Sequence, residues 1–293
     1  KRNSKIIFAV LFVVLTLVLL WFVRPFAREA VDDYRQEQRR AALPEAVTYE
    51  RHSGGERSEL IESPDSLGDP IAPASPPLQD DEVGEFPVAE VRTTTEENVL
   101  LTSYNLHIPF TPQAPHANWD MPYQEACEEA SAYMVNLYFN GDKRDAIPPD
   151  EADERILELV AWQNQHFGYY KDTTVEEVVE MLRLFYNLRG RVIDNPSVEQ
   201  IKEATAQGYP VIVPAYGKDL PNPNFRNGGP LYHMLVIKGY TESGRFITND
   251  PGTRRGAEFT YKYNEVMGAI HDWNDGDVPN GAARVIVVEG PIE

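Results

Sequence analysis

A proline-rich, acidic stretch divides this chain and limits which parts of it can fold. Residues 43–98 contain seven prolines and few aromatic side chains, and from position 63 they read SPDSLGDPIAPASPPLQDDEVGE. Such a composition cannot bury enough apolar surface to offset the conformational entropy that folding removes. We therefore predict an extended, disordered tether here. The chain is expected to have three parts: 1–27, 28–98 and 99–293.

The N-terminal part contains a long uncharged run. Ile6 to Val23 is 18 residues long, close to the about 20 residues with which a helix crosses a bilayer. The run is longer than the apolar segment of most signal peptides, and no small-residue cleavage site follows it. We predict a transmembrane signal anchor within residues 1–27, and a charged juxtamembrane stretch that starts the next part at residue 28.

The orientation of this anchor depends on the charges around it. Three basic residues precede the run, and five arginines between positions 24 and 40 follow it. Counting positive charges alone would keep the C-terminal domain in the cytoplasm, but long domains often translocate regardless of such counts. We expect a single-pass membrane protein whose C-terminal domain lies outside the cytoplasm.

Overall charge and residue types exclude several classes of function. The net charge of −19 argues against nucleic acid and anionic membrane surfaces as partners. The single cysteine cannot form an internal disulfide, and no HExxH or other zinc pattern is present. The acidic residues Asp142, Asp145 and Asp150 lack the spacing of a calcium loop. We therefore predict neither a metal nor another cofactor.

From residue 99 the pattern is that of a globular α+β domain. Apolar residues at helical spacing, together with capping residues, predict helices that begin near Cys127, Pro149, Thr174 and Ser197. Apolar runs with strand character follow at 210–216, 233–240, 245–249 and 283–289. Helices followed by mainly antiparallel strands indicate an α+β fold in which the helices are segregated from the sheet.

Cys127, the only cysteine, lies at the predicted start of a helix. The positive end of the helix dipole favours the thiolate, which is the nucleophilic form of the side chain. Gln124 lies about one turn upstream, so its amide can point to the same place. A thiol beside an amide donor suggests a nucleophile and half of an oxyanion hole. The alternative is a buried, structural helix cysteine.

Two further residues are expected to meet through a β-hairpin. His233 begins one predicted strand, Asp250 ends the next, and the turn at 241–244 joins the two strands. If the strands pair, the start of the first lies beside the end of the second. An aspartate beside a histidine orients the imidazole and stabilises its charged form. The alternatives are that Asp250 serves only an Asp-Pro-Gly turn, and that His233 is structural.

These residues resemble those of the C39-like cysteine peptidases, which have a papain-like fold. The resemblance rests on QEACEEAS at 124–131, HMLVIKGY at 233–240, NDP at 249–251, PFTPQAP at 109–115 and Asn-Trp at 118–119. It implies Cys127 as nucleophile, His233 as general base and acid, and Asp250 as the residue that orients His233, with Asn249 the other candidate. Gln124 and the Cys127 backbone N–H would bind the oxyanion, and the substrate would be a peptide or protein.

Two features depart from the family pattern. Many relatives have glycine after the cysteine, where this chain has Glu128. The best-known members cut leader peptides while fused to an ABC transporter, and this chain contains no nucleotide-binding cassette, so that substrate is not implied. Two alternatives therefore stay open: a catalytically inactive peptide-binding module on a membrane stalk, and a cysteine-dependent acyltransferase or amidase.

Overall fold

The structure, a computed structural model, describes residues 2–49 and 101–293. These two ranges belong to one compact unit. Most of the predicted tether, 50–98, lies outside the described residues.

The first helix, α1 (Arg2–Ala41), covers the predicted membrane anchor. The side chains of residues 2–17, 19, 20 and 25 lie outside the described part of the structure. Within the part that is described, no helix combines the length and the apolar character that a bilayer crossing requires. The structure therefore does not support the transmembrane helix expected at Ile6 to Val23.

Five helices follow in the C-terminal range: α2 (Cys127–Phe139), α3 (Pro149–His166), α4 (Val175–Tyr186), α5 (Val198–Ala206) and α6 (Tyr263–Ala269). Local sequence signals determine where several of them begin. Thr174 and Ser197 each form the reciprocal capping box that their sequences predict, with Glu177 and Gln200 as partners. Pro149 occupies the first turn of α3, where its missing N–H leaves no helical hydrogen bond unmade.

The strands of the described residues form one seven-stranded sheet, and all of their pairings are antiparallel. Its order is β2-β7-β3-β4-β5-β6, and β1 also pairs with β4. The strands are β1 (Tyr104–Asn105), β2 (Leu188–Asp194), β3 (Val211–Ala215), β4 (His233–Thr241), β5 (Arg245–Asn249), β6 (Phe259–Lys262) and β7 (Arg284–Pro291). The predicted mixture of helices and an antiparallel sheet is thus confirmed. The sequence patterns did not reveal β2 and β6, which end the strand order and are half-exposed.

Pairing of β4 with β5 forms the predicted hairpin. Its register places Val236 opposite Asn249, and one bulge lies between Ile237 and Gly239. A side chain at Gly239 would meet the backbone oxygen of Tyr104 at 2.1 Å, so only glycine allows β1 to approach β4 here. The start of β4 and the end of β5 consequently lie side by side.

Helix α2 packs across the start of β4. Its apolar side chains, including Met134 and Val135, join one core cluster with Met234 and Val236 of β4. The Ser131 hydroxyl donates to the Met234 carbonyl oxygen at 3.4 Å. This packing brings the first turn of α2 to the first residues of β4.

The end of α1 and the residues after it also contact the domain. The Arg255 guanidinium pairs with the Asp33 carboxylate at 2.7 Å, and Gln36 Nε2 donates to the Arg255 carbonyl oxygen at 3.1 Å. Val47 donates its backbone N–H to the Asn105 carbonyl oxygen at 2.8 Å. Residues 43–49, which the composition places in the tether, therefore lie against the folded domain.

Candidate active site

Cys127 is the first residue of α2 and is 5% exposed. Ala126, the residue before it, offers no side-chain cap to the N–H groups of the first turn. Cys127 belongs to the same core cluster as Met234, the second residue of β4, whose backbone partly offsets the rise of the thiol pKa. The first turn of α2 therefore packs against the start of β4, the strand that His233 begins.

The polar partner of the Cys127 thiol is the neighbouring carboxyl group. Sγ donates to Glu128 Oε2 at 3.1 Å. Among residues 2–49 and 101–293, no hydrogen bond joins Sγ to His233. Burial raises the pKa of the Cys127 thiol, and the Glu128 charge raises it further. This direction is opposite to our expectation that the helix start favours the thiolate, because desolvation and a neighbouring anion outweigh the helix dipole.

His233 and Asp250 form a buried pair. His233 Nε2 lies 2.7 Å from Asp250 Oδ1, and the two side chains are 1% and 0% exposed. Burial raises the Asp250 pKa, but the His233 charge and the hydrogen bonds to the carboxylate outweigh burial and hold that pKa below its usual value. The hairpin thus brings these two residues together in the way that the sequence argument anticipates.

Two residues that the sequence analysis did not select hold the other oxygen of Asp250. Oδ2 accepts hydrogen bonds from Asn222 Nδ2 at 3.0 Å and from the Tyr261 hydroxyl at 2.5 Å. The Gly252 backbone N–H donates to Oδ1 at 3.0 Å. Nothing in the local sequence around Tyr261 marks this role, since β6 reaches Asp250 only through the pairing of the strands.

The imidazole of His233 is also held sterically. The Phe225 ring stands edge-on to it, with ring centroids 5.3 Å apart. A Cβ atom added at Gly252 would lie 2.8 Å from His233 Cε1 and 2.9 Å from Phe225 Cε1. The glycine after the Asp-Pro turn therefore makes room for the two rings.

Asn249 and Gln124 lie apart from this pair. Asn249 Nδ2 donates to the Ile108 carbonyl oxygen at 3.0 Å, and Asn249 Oδ1 accepts from the Glu258 N–H at 3.2 Å. Asn249 thus ties two loops together, and the side chain that contacts His233 is that of Asp250. Gln124 lies in the short 3-10 turn before α2 and is exposed, without a hydrogen-bond partner among the described residues.

Gln113 is a second amide near the site that the sequence analysis did not select. It is 4% exposed, and its backbone N–H donates to the Pro251 carbonyl oxygen at 2.9 Å. Its Nε2 donates to the Tyr123 carbonyl oxygen at 2.9 Å, while Oε1 has no hydrogen-bond partner among the described atoms. Gln113 therefore connects the Asp250 loop with the turn that leads to Cys127, and it lies in the PFTPQAP stretch.

Two residues with buried carboxyl groups directly follow Cys127 on α2. Glu128 is 1% exposed and Glu129 is 0% exposed. Burial raises the Glu128 pKa to about 8, and burial together with the Glu128 charge raises the Glu129 pKa well above its usual value. Within the described ranges, no group of three or more His, Cys, Asp or Glu side chains has the arrangement of a metal site.

The arrangement has the chemical parts of an acyl-transfer site. A thiol at a helix start, an imidazole oriented by a carboxylate, and amide donors nearby are the groups that nucleophilic catalysis at a carbonyl requires.

The chain is similar to proteins of one family. The model of the Peptidase_C39 like family matches residues 105–275, a range that includes Cys127, His233 and Asp250. A crystal structure of a candidate C39-like peptidase from Bacillus anthracis is also similar. The identity is 14% over 66% of this chain and 98% of that chain, with a TM-score of 0.41. No curated protein matches the sequence.

Proposed function

This chain belongs to the Peptidase_C39 like family, and from that premise we propose that it is a cysteine peptidase acting through Cys127, His233 and Asp250. The observation that carries the proposal is the buried His233–Asp250 hydrogen bond of 2.7 Å, at the start of the strand that packs in one core cluster with Cys127. The reaction is hydrolysis of a peptide or amide bond through an acyl-enzyme.

We infer a role for each nitrogen of His233 from its contacts. Because Nε2 is paired with Asp250, Nδ1 is the nitrogen that takes the thiol proton. The Cys127 sulfur attacks the carbonyl carbon, and the imidazolium then donates its proton to the leaving amine. Water, deprotonated by the same nitrogen, attacks the acyl-enzyme and releases the carboxylic acid. Asp250 stays ionised throughout and stabilises the imidazolium.

Peptide cleavage by the full chain tests this proposal directly. The protein is incubated with a diverse peptide library in water enriched in ¹⁸O, and the products are identified by mass spectrometry. A peptidase yields new C-termini that carry one ¹⁸O atom, since water releases the acyl group. New amide products without ¹⁸O would assign the chain to the acyltransferases instead.

One observation favours an alternative function, which is peptide binding without catalysis. The Cys127 thiol is buried and donates to Glu128 rather than to His233. If this arrangement is permanent, the site is inactive and serves only to bind a peptide. Library peptides that bind but remain intact at all pH values would establish this alternative.

We also propose that Gln113, rather than Gln124, stabilises the oxyanion together with the Cys127 N–H. An amide contributes most when its position is fixed before the reaction, and Gln113 is buried while Gln124 is exposed. Only one N–H of the Gln113 amide is needed for Tyr123, so the other is available to the substrate.

The two glutamines can be separated by matched alanine variants. We expect Gln113→Ala to lower kcat by about 100- to 1000-fold, the usual effect of losing one oxyanion donor. Gln124→Ala is expected to change kcat only slightly. Both rates are measured on the same library-derived peptide, with thermal unfolding as the folding control. If Gln124→Ala lowers kcat more than a folded Gln113→Ala protein does, Gln124 is the oxyanion donor.

The membrane anchor is a further part of the proposed function. The uncharged run from Ile6 to Val23 supports a single-pass signal anchor, with the peptidase domain outside the cytoplasm. The full chain should then stay with membranes during alkaline carbonate extraction, and added protease should reach its C-terminal domain in spheroplasts or right-side-out vesicles. Release by carbonate would remove the anchor from the proposal.

A further inference from the structure

Glu128 is buried in an unusual place for a carboxylate. It directly follows the nucleophile of the proposed reaction, is 1% exposed, and has both oxygens engaged. Oε2 accepts from the Cys127 thiol at 3.1 Å, and Oε1 accepts from the Thr173 backbone N–H at 3.3 Å. A buried carboxylate is stable only when such partners replace water. Glu128 therefore links the start of α2 to the loop before α4 through the Thr173 N–H, and it also holds the thiol of Cys127.

The thiol has two possible acceptors but only one proton. A thiol proton can be donated to one acceptor at a time. In the described structure it is donated to Glu128, although Cys127 belongs to the same core cluster as Met234, which directly follows His233. The thiol thus donates its hydrogen bond to Glu128, while the neighbouring strand β4 begins with the imidazole of His233.

From this geometry, and resting on the proposed function, we propose that Glu128 is a positioning residue that holds Cys127 in a resting state. In this state the Glu128 carboxylate accepts the hydrogen bond of the Cys127 S–H group. The thiol therefore does not donate its proton to His233. Activation breaks this hydrogen bond, and the S–H proton passes to His233 Nδ1. The products of this step are a thiolate and an imidazolium, and Glu128 keeps its hydrogen bond from Thr173.

The charges around Glu128 add to this effect. The titratable groups that face it are Cys127 and Glu129 on α2, Glu125 in the preceding turn, Asp172 in the loop before α4, and Tyr232 before β4. Each of these groups is either neutral or negative, so none of them offsets a charge on Glu128. Glu128 is ionised only above its pKa of about 8. In that pH range it opposes a second negative charge on the sulfur, and removing its charge should make the thiolate easier to form.

The test is the pH dependence of Cys127 alkylation in the full chain. Iodoacetamide reacts with the thiolate, and Cys127 is the only cysteine, so the rate reports on this group alone. We expect Glu128→Gln to move the midpoint of the rate profile down by at least about one pH unit, which is a tenfold faster reaction at a fixed pH below the midpoint. The amide oxygen of Gln can still accept the Thr173 N–H.

Two control variants separate positioning by Glu128 from a general effect of charge. Glu129→Gln changes the adjacent buried carboxyl group, which accepts a hydrogen bond from Gln163 and not from the thiol. This variant is expected to shift the midpoint less. Adding His233→Ala to Glu128→Gln should abolish most of the gain, because the thiolate then lacks its imidazolium. An unchanged midpoint in Glu128→Gln, or equal shifts in Glu128→Gln and Glu129→Gln, would overturn the proposal.

A measurement on the unmodified protein covers the case in which Glu128→Gln does not fold. The single S–H stretching band in the infrared should show the lowered frequency of a thiol that donates to a carboxylate. It should shift as Glu128 titrates. A band at the frequency of a free thiol, independent of pH, would contradict the proposal. Neither experiment uses a substrate, so they can fail while peptide cleavage succeeds, and the reverse.

Discussion

Replacing Cys127 by serine is expected to abolish peptide hydrolysis while the protein stays folded. The serine hydroxyl is slightly smaller than the thiol, so the buried position at the start of α2 can accept it. Its pKa is far above that of a thiol, and the adjacent Glu128 carboxylate opposes its ionisation further. Loss of the nucleophile typically lowers kcat by about a million-fold in a peptidase with a comparable set of residues. The rate is measured with a peptide that the wild-type protein cleaves.

A matched control for this variant lies one turn along the same helix. Ser131 is buried, and its hydroxyl makes only a long hydrogen bond of 3.4 Å to the Met234 carbonyl oxygen. Ser131→Ala should therefore leave kcat within a few-fold of wild type, and both variants should unfold near the wild-type temperature. Hydrolysis retained by Cys127→Ser would remove Cys127 from the mechanism.

Asp250→Asn is expected to lower kcat by about 10⁴-fold, as the equivalent change does in serine peptidases. Asn222 and Tyr261 both donate to Oδ2, so an asparagine here must turn its carbonyl oxygen to them. Its NH2 group then faces His233 Nε2 and can only donate. The imidazole proton is forced to Nδ1, where a proton acceptor for the thiol is needed. The measurement is kcat against pH, with thermal unfolding in parallel.

Two further variants decide whether this loss belongs to the Asp250 charge. Tyr261→Phe removes one hydrogen bond from Oδ2 but keeps the carboxylate, so a much smaller loss of kcat is expected. Asn249→Ala removes hydrogen bonds to Ile108 and Glu258 and should lower stability more than kcat. If kcat falls more in a folded Asn249→Ala protein than in Asp250→Asn, then Asn249 is the residue that orients His233.

The outcome for Glu128 bears on the choice between an enzyme and a binding module. In the structure, Asp250 orients the imidazole of His233, whereas the Cys127 thiol donates its hydrogen bond to Glu128. In a resting enzyme, faster alkylation of Glu128→Gln should be accompanied by faster peptide cleavage below the wild-type midpoint. In a binding module, alkylation would change without any cleavage.

Features that depend on neighbouring residues in the chain could be predicted from the sequence. The capping boxes at Thr174 and Ser197 need only four consecutive residues each. The meeting of His233 and Asp250 needs one short turn and the alternation of a hairpin, and both are local. The family resemblance rests on short motifs in a fixed order, and the family is confirmed over residues 105–275.

Features that depend on distant segments could not be predicted in this way. The strand that supplies Tyr261 and the loop that supplies Asn222 reach Asp250 only when the sheet and its loops have assembled. Gln113 approaches the site because its backbone bonds Pro251, which is far away in the sequence. Spacing along the chain therefore favoured Gln124, which is nearer to Cys127 in sequence but exposed.

The sequence by itself determined the α+β architecture, the family, and the identity of the thiol, imidazole and carboxylate that the proposed mechanism uses, because these follow from local periodicity and short motifs. Only the tertiary structure decided the electrostatic state of the thiol. The sequence predicts a thiol at a helix start, where the helix dipole favours the thiolate. Packing of α2 against β4 and the loop at Thr173 instead buries Cys127 with Glu128, and the loss of water around both groups raises their pKa values.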